Sequence, residues 1–162
     1  MVINKVQGDL ISLLNNHFDF KFIKSSQQGK KPNYPYCIYN FISPLIPEKR
    51  GSIYRISKGE DADTQINKRV TNDNAVASFT LCDSDYVRLS DKLNELVNYF
   101  LYTGAEDINA LGLVVVELMD LDGDRSIDID GVYFEQRVGF DVRLRLINTM
   151  EKEVPVIDGV ET

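Results

Sequence analysis

Residues 119–130 read MDLDGDRSIDID and hold five aspartates: Asp120, Asp122, Asp124, Asp128 and Asp130. A hard cation such as calcium is held by several oxygens, and a D-x-D-x-D run is how a helix–loop–helix calcium site begins. Counted from Asp120, such a site needs glycine at its sixth place and a bidentate glutamate at its twelfth. Arg125 and Gly131 stand there instead. Arginine puts a cation where the backbone must turn sharply, and glycine removes the strongest ligand. The flanking segments also read as strands, an apolar run before the stretch and an alternating one after it, not as helices. The stretch is therefore expected to be the acidic connection of a hairpin between strands at 111–118 and 132–147, with no metal bound. A small soluble binding module with a calcium-responsive acidic loop is the alternative reading.

Other chemistry has little to stand on. His17 is the only histidine, and it falls beside the apolar stripe of a helical segment, where packing explains it. Cys37 and Cys82 form no CxxC pattern and sit in apolar runs. They are expected to be reduced, buried thiols. The chain has no GxxxxGK[ST] and no GxGxxG, hence no phosphate loop. Carboxylates are abundant, but abundance alone does not make an acid/base pair. No catalytic residue, cofactor or metal is expected. The net charge of −7 argues against coating nucleic acid, which takes clustered Lys and Arg. Aromatics say more. Tyr34, Tyr36, Tyr39 and Phe41 crowd one proline-framed segment, as at a protein interface. Core packing accounts for them equally well.

The elements that must position these residues follow from periodicity. Apolar residues recur at three and four over residues 3–18, and again from Val87 to Phe100 with Asp83 or Ser84 as N-cap, so both segments are read as helices. Residues 105–111 hold one more helical turn. Short strands are expected at 20–25, 36–43, 52–57, 66–71 and 75–82, with Asn72-Asp73-Asn74 as a turn between the last two. Pro44 and Pro47 end the strand at 36–43, both faces of which are apolar. From 132 to 147, Val132, Phe134, Val138, Phe140, Val142, Leu144 and Leu146 share one parity, broken only by Gln136, while Tyr133, Glu135, Arg137, Gly139, Asp141, Arg143, Arg145 and Ile147 share the other. That pattern is a strand with one face in a core and one charged. Sixteen residues would span roughly 50 Å, so either Gly139 marks a bulge or the strand end projects beyond the body. Helices do not alternate with strands. The fold class is α+β: a mainly antiparallel sheet with two helices packed on one face and a long C-terminal strand. One domain is expected over residues 1–150, with a mobile tail at 151–162. No membrane span and no signal peptide are read from the sequence, so a cytosolic product is expected.

Two segments, QQGKKPNYPYCIYNFISP and VYFEQRVGFDVRLRL, together resemble the neck or tail terminator proteins of tailed bacteriophages. The resemblance rests on a Gly-rich, basic loop running into a PxYPYxxY strand, a central amphipathic helix, and a late strand ending in alternating Val/Leu and Arg. Phe134-Glu135-Gln136 departs from the Tyr-Glu-Arg order more common in that late strand. The family implies a non-enzymatic virion protein that forms a ring, usually of six subunits, which caps the tail tube and joins tail to head. It implies as partners the protein itself and the tail-tube and neck or head-completion proteins. DNA would pass through without specific binding, and no membrane is involved. The location implied is the virion, and the host cytoplasm during assembly. Tyr34, Pro35, Tyr36 and Tyr39 of the first segment and Arg137, Arg143 and Arg145 of the second would lie at subunit or partner interfaces.

Overall fold

The computed structural model describes residues 2–48, 53–60, 63–129, 131 and 133–156. Among them, α1 (Val2–His17) leads to β1 (Lys21–Lys24), β2 (Tyr36–Ile46), β3 (Ile53–Lys58) and β4 (Thr64–Asp83). Next come α2 (Tyr86–Asn98), a π-helical turn (Tyr99–Thr103) and α3 (Ala105–Ala110). The chain ends with β5 (Leu113–Asp124), β6 (Ile127–Ile129) and β7 (Tyr133–Pro155). The fold is α+β, as expected. The strands run in the order β1-β2-β4-β7-β5, with β3 beside β4 and β6 beside β7. All pairs are antiparallel except β1 with β2. Ser52, Asp130, Val132 and the last six tail residues, for which expectations were stated above, lie outside the described residues.

The β4–β7 pair is the spine. Its register is unbroken from Thr64↔Pro155 to Asp83↔Gln136. β2 and β3 share the other edge of β4, and β5 and β6 share the other edge of β7. Ala75, Ala77, Phe79 and Leu81 of β4 are buried with Phe140, Val142, Leu144 and Leu146 of β7. Ala75, Ala77 and Phe79 stand opposite Leu144, Val142 and Phe140, and Leu81 stands opposite Val138, so the parity read from the sequence is the core face from Val138 to Leu146, while Phe134, of the same parity, is exposed. Leu10 and Leu14 of α1, Leu89 and Leu96 of α2, Phe100 and Ile108 close over it. Phe79, Phe100 and Phe140 form a triangle of ring contacts, with centroids 5.3–5.9 Å apart. Each such side chain stabilises the fold by about 1.5–3 kcal/mol. His17 packs its ring 4.2 Å from that of Tyr99. Cys37 and Cys82 are buried free thiols.

Several local expectations are corrected, and of the two alternatives for the long strand the projecting end is the one observed. Asn72-Asp73-Asn74 makes no turn, because β4 runs straight through it. Asp73 is buried and accepts hydrogen bonds from the Glu48 backbone N–H (3.1 Å) and from Asn148 Nδ2 (2.9 Å). These tertiary partners satisfy the carboxylate that would otherwise have closed a turn. Pro44 does not end β2, which reaches Ile46 with irregular register past Phe41. There β1 no longer flanks it, so the strand is an edge and tolerates a missing N–H. Gly139 marks no bulge in β7. The irregularity is on β5, where the residues between Met119 and Gly123 bulge opposite Asp141 and Gly139 and Asp120 takes φ 54°. The aspartate stretch is accordingly not a free connection: Asp120, Asp122 and Asp124 lie in β5 and Asp128 in β6, with Asp124 opposite Val138 and Asp128 opposite Phe134 of β7.

β7 has 23 residues and β4 has 20, so β7 would extend roughly 75 Å if straight. The core ends at Ala75 and Leu146. Beyond it, β3 with 64–72 of β4 and 147–155 of β7 forms a three-stranded arm. Tyr54 and Ile56 on this arm are each 70% exposed, and Ile147 and Met150 are exposed too.

Gly139 is required by close approach. A Cβ there would stand 2.1 Å from the Phe79 carbonyl oxygen. Gly139→Ala is expected to lower stability by about 3 kcal/mol in urea denaturation, by forcing the spine strands apart. At Gly8, inside α1, a Cβ meets nothing within 4 Å. Gly8→Ala is expected to raise stability by about 0.5–1 kcal/mol. Equal stability of the two variants would contradict the packing at 139.

Candidate functional site

β1 and β2 are parallel neighbours, so the chain between them must travel back along the sheet before it re-enters. Residues 25–35 do this. The Ser25 N–H donates to the Tyr39 carbonyl (2.9 Å), and the segment ends at a cis Tyr34–Pro35 bond. Tyr36, the first residue of β2, pairs with Cys82, and Cys82 pairs with Arg137. These three residues and Glu135 share the sheet face turned away from the helices.

The loop folds over that face and encloses Glu135, which is 0% exposed. Five donor groups converge on its carboxylate. Tyr34 Oη donates to Oε2 at 2.5 Å, and Tyr36 Oη lies 3.2 Å from the same oxygen. Arg137 donates through Nε to Oε1 at 2.7 Å, with its Nη2 also 2.7 Å away. Lys31 Nζ bonds Oε2 as well and donates to Tyr34 Oη at 2.7 Å. The Tyr34 and Tyr36 rings stack with centroids 5.7 Å apart, and the Lys31 ammonium lies 4.6 Å from the Tyr34 centroid.

The electrostatics follow from this geometry. Burial by itself raises the Glu135 pKa. The hydrogen bonds from Lys31, Tyr34 and Arg137 outweigh it and pull the pKa from 4.5 to about 2. Burial works against the charge of Lys31, yet the bonds to Glu135 and Tyr34 hold its pKa above the usual lysine range. Burial pushes the Tyr36 phenol up, and it pushes the Cys82 thiol up to about 11. None of these groups changes protonation near neutral pH. General acid–base work wants a group poised near the working pH, and this cluster offers none. Its chemistry is positional: a buried carboxylate holds a loop in one place.

A second polar clamp lies on the same face. Arg125 leaves the acidic stretch and lies across the spine. Its Nη1 donates to Ser78 Oγ and Thr80 Oγ1, both at 2.8 Å, and its Nη2 to Asp141 Oδ1 at 3.2 Å. The cation that spoiled the calcium pattern thus ties β5 to β4 and β7. Among the described residues, no three His, Cys, Asp or Glu side chains are grouped to hold a metal ion.

The family model described as phage neck terminator protein matches residues 4–162. The chain belongs to that family. It is a structural protein of the phage neck, a virion component, and the family implies no enzymatic role. Among curated proteins, none matches it. The loop of this neck terminator protein and its late strand carried the resemblance in sequence, and in the structure they meet at Glu135.

Of the seven residues expected at interfaces, the fold brings four together: Tyr34, Pro35, Tyr36 and Arg137. Tyr39 lies farther along β2 on the helix-side face, opposite Phe79 and packed against the core. Arg143 pairs with Glu117 at 2.6 Å, and Arg145 is exposed on the polar face. Glu135 and Lys31 were not singled out from sequence. The available signal was spacing: Glu135 and Arg137 are two apart on a strand and so share a face, opposite a loop rich in donors. That the loop covers them is not visible in the sequence.

The depressed pKa of Glu135 makes its contribution to stability depend on pH. The folded value lies below the unfolded one, so the contribution is complete above about pH 4.5 and is lost as pH falls toward 2. The lost contribution is roughly 3 kcal/mol. Glu135→Gln is expected to destabilise the protein at pH 7 by about 3–5 kcal/mol, since it removes the buried charge that Lys31 and Arg137 share. The gap between variant and wild type should narrow below pH 4 in denaturant titrations. A gap constant from pH 7 to pH 3 would refute the clamp's charge. Millimolar calcium is expected to leave the melting temperature unchanged, because ligand-linked stabilisation requires a site.

Proposed function

We propose that this neck terminator protein assembles with copies of itself into a ring, expected to hold six subunits, that caps the tail tube and joins tail to head. The observation that carries this reading is the arm. Its apolar side chains stand on both faces: Tyr54, Ile56 and Met150 on the helix side, Ile53 and Ile147 on the other. Among the described residues, these side chains stay exposed. A closed ring made of identical copies uses two unlike surfaces on each subunit, and a projecting arm is one such surface.

On this reading Tyr34, Pro35, Arg143 and Arg145 stand where a neighbouring subunit, the tube or a head-completion protein makes contact. Tyr36 and Arg137 act through the clamp that fixes the loop, and Tyr39 holds β2 against the core. The net charge of −7 suits a passage for DNA without specific binding. No helix among the described residues is long and apolar enough to cross a membrane. Assembly takes place in the host cytoplasm, and the product is no enzyme.

The test is electron microscopy and light scattering of the purified chain, alone and with tail tubes. Rings at tube ends, six-fold in projection, are the expected result. A chain that stays monomeric at high concentration and leaves tubes uncapped would overturn the reading.

A further inference from the structure

On the helix side of the sheet, Tyr86 and Leu93 of α2, Leu121 of β5, and Phe134 and Val138 of β7 line an open groove of about 550 Å³. Phe134 is 57% exposed. The groove is acidic. Asp124 lies in its wall, and Asp128 pairs with Phe134 in the β6–β7 register and shares its face. Both carboxylates are exposed.

The arm carries the complement. Tyr54 is opposite Arg69 and Ile56 is opposite Asn67, and these β4 positions continue the parity of Phe79. Tyr54 and Ile56 therefore stand on the helix-side face, with Met150 and Lys152 in the same rows and Lys58 one step on. Lys58 and Lys152 are exposed, and these rows hold no carboxylate. The arm is at the C-terminal end of β7 and the groove at its N-terminal end, so one molecule cannot bring them together. A row of identical subunits can.

We infer that the arm of one subunit seats in the groove of the next, with Tyr54 and Ile56 against Phe134 and Leu121, and Lys58 and Lys152 facing Asp124 and Asp128. The occupant of the groove is a second copy of this chain. Charge of opposite sign sets the direction, and unlike patches at opposite ends make the contact head-to-tail, the kind that closes a ring. The inference rests on the ring reading and gives it a contact.

The experiment uses the full chain with tail tubes present. A chain carrying both Ile56→Cys and Phe134→Cys is oxidised and run without reductant. The native thiols are buried and do not compete. A ladder of linked oligomers is expected, while a mixture of the two single variants should stop at dimers. Adding Asp124→Lys and Asp128→Lys to the double variant should cut the ladder at least tenfold. If the double variant gives no more than the single variants while wild type still forms rings, the arm contact is wrong and the ring stands. If the charge reversals leave the ladder intact, the contact as described is also wrong. If wild type forms no ring on tubes, both fail together.

Discussion

The β4–β7 ladder is the constraint on which the other elements depend. Its register runs unbroken from Thr64↔Pro155 to Asp83↔Gln136. Because side chains alternate with a period of two, fixing one pair fixes the facing of all of them. Phe79 opposite Phe140 places the core, and the same register sets Arg137, Asp141, Arg143 and Arg145 on the other face. Two successive strands line each outer edge, so the ladder is covered without any single partner matching its length. An isolated ribbon with little cover is marginal in water. The arm persists because its strands are continuations of strands the core has already aligned. Asp73, bonded to Asn148 and Glu48 where the core ends, secures that transition.

The polar face is held by a different means. A sheet face without helices needs something to satisfy or cover its side chains, and here charged groups do both. Arg125 spans Ser78, Thr80 and Asp141, and Gly139 leaves it room: a Cβ there would come within 3.0 Å of its guanidinium. Glu135 gathers Lys31, Tyr34, Tyr36 and Arg137. Buried ion pairs add little net stability over an apolar equivalent, yet removing one partner is strongly destabilising. Such a cluster therefore serves to make one loop position far better than any other. For a loop of Gly, Lys, Pro and Asn, with few apolar side chains of its own to bury, that is the means at hand.

Much of the fold was legible because periodicity reports burial directly. The α2 stripe, the α3 turn and the two-faced pattern of β7 all reflect which side meets the core. What was not legible shares one cause. Asn72-Asp73-Asn74, Pro44 and the aspartate stretch have strong local preferences for turns, and distant partners override each of them: Glu48 and Asn148, an unpaired edge, and β7. The cap of α2 moved by one or two residues for the same reason. Asp83, buried at the end of β4, is held by Arg88 through two 2.6 Å bonds, which leaves Asp85 to accept from the Val87 and Arg88 N–H groups. The clamp at Glu135 joins residues about a hundred positions apart, beyond the reach of any local pattern. The likeness of both segments to one family pointed to them separately, without saying that they touch.

The two ends of β7 thus differ in kind. The N-terminal end has Glu135 buried among its hydrogen-bond donors and an acidic apolar groove beside it. The C-terminal end is an arm whose exposed side chains are worth about 1.5–3 kcal/mol each once covered, reduced by the freedom lost on association. A single contact of that size holds two subunits only weakly, and the charge of −7 on every copy opposes casual association. Closure changes the balance. In the proposed ring the last subunit would make two contacts for one loss of translational freedom, and a tube end that held the copies in place would raise their effective concentration further. A subunit with a projecting arm, modest apolar exposure and strong net charge is therefore suited to remain apart until a template gathers its neighbours.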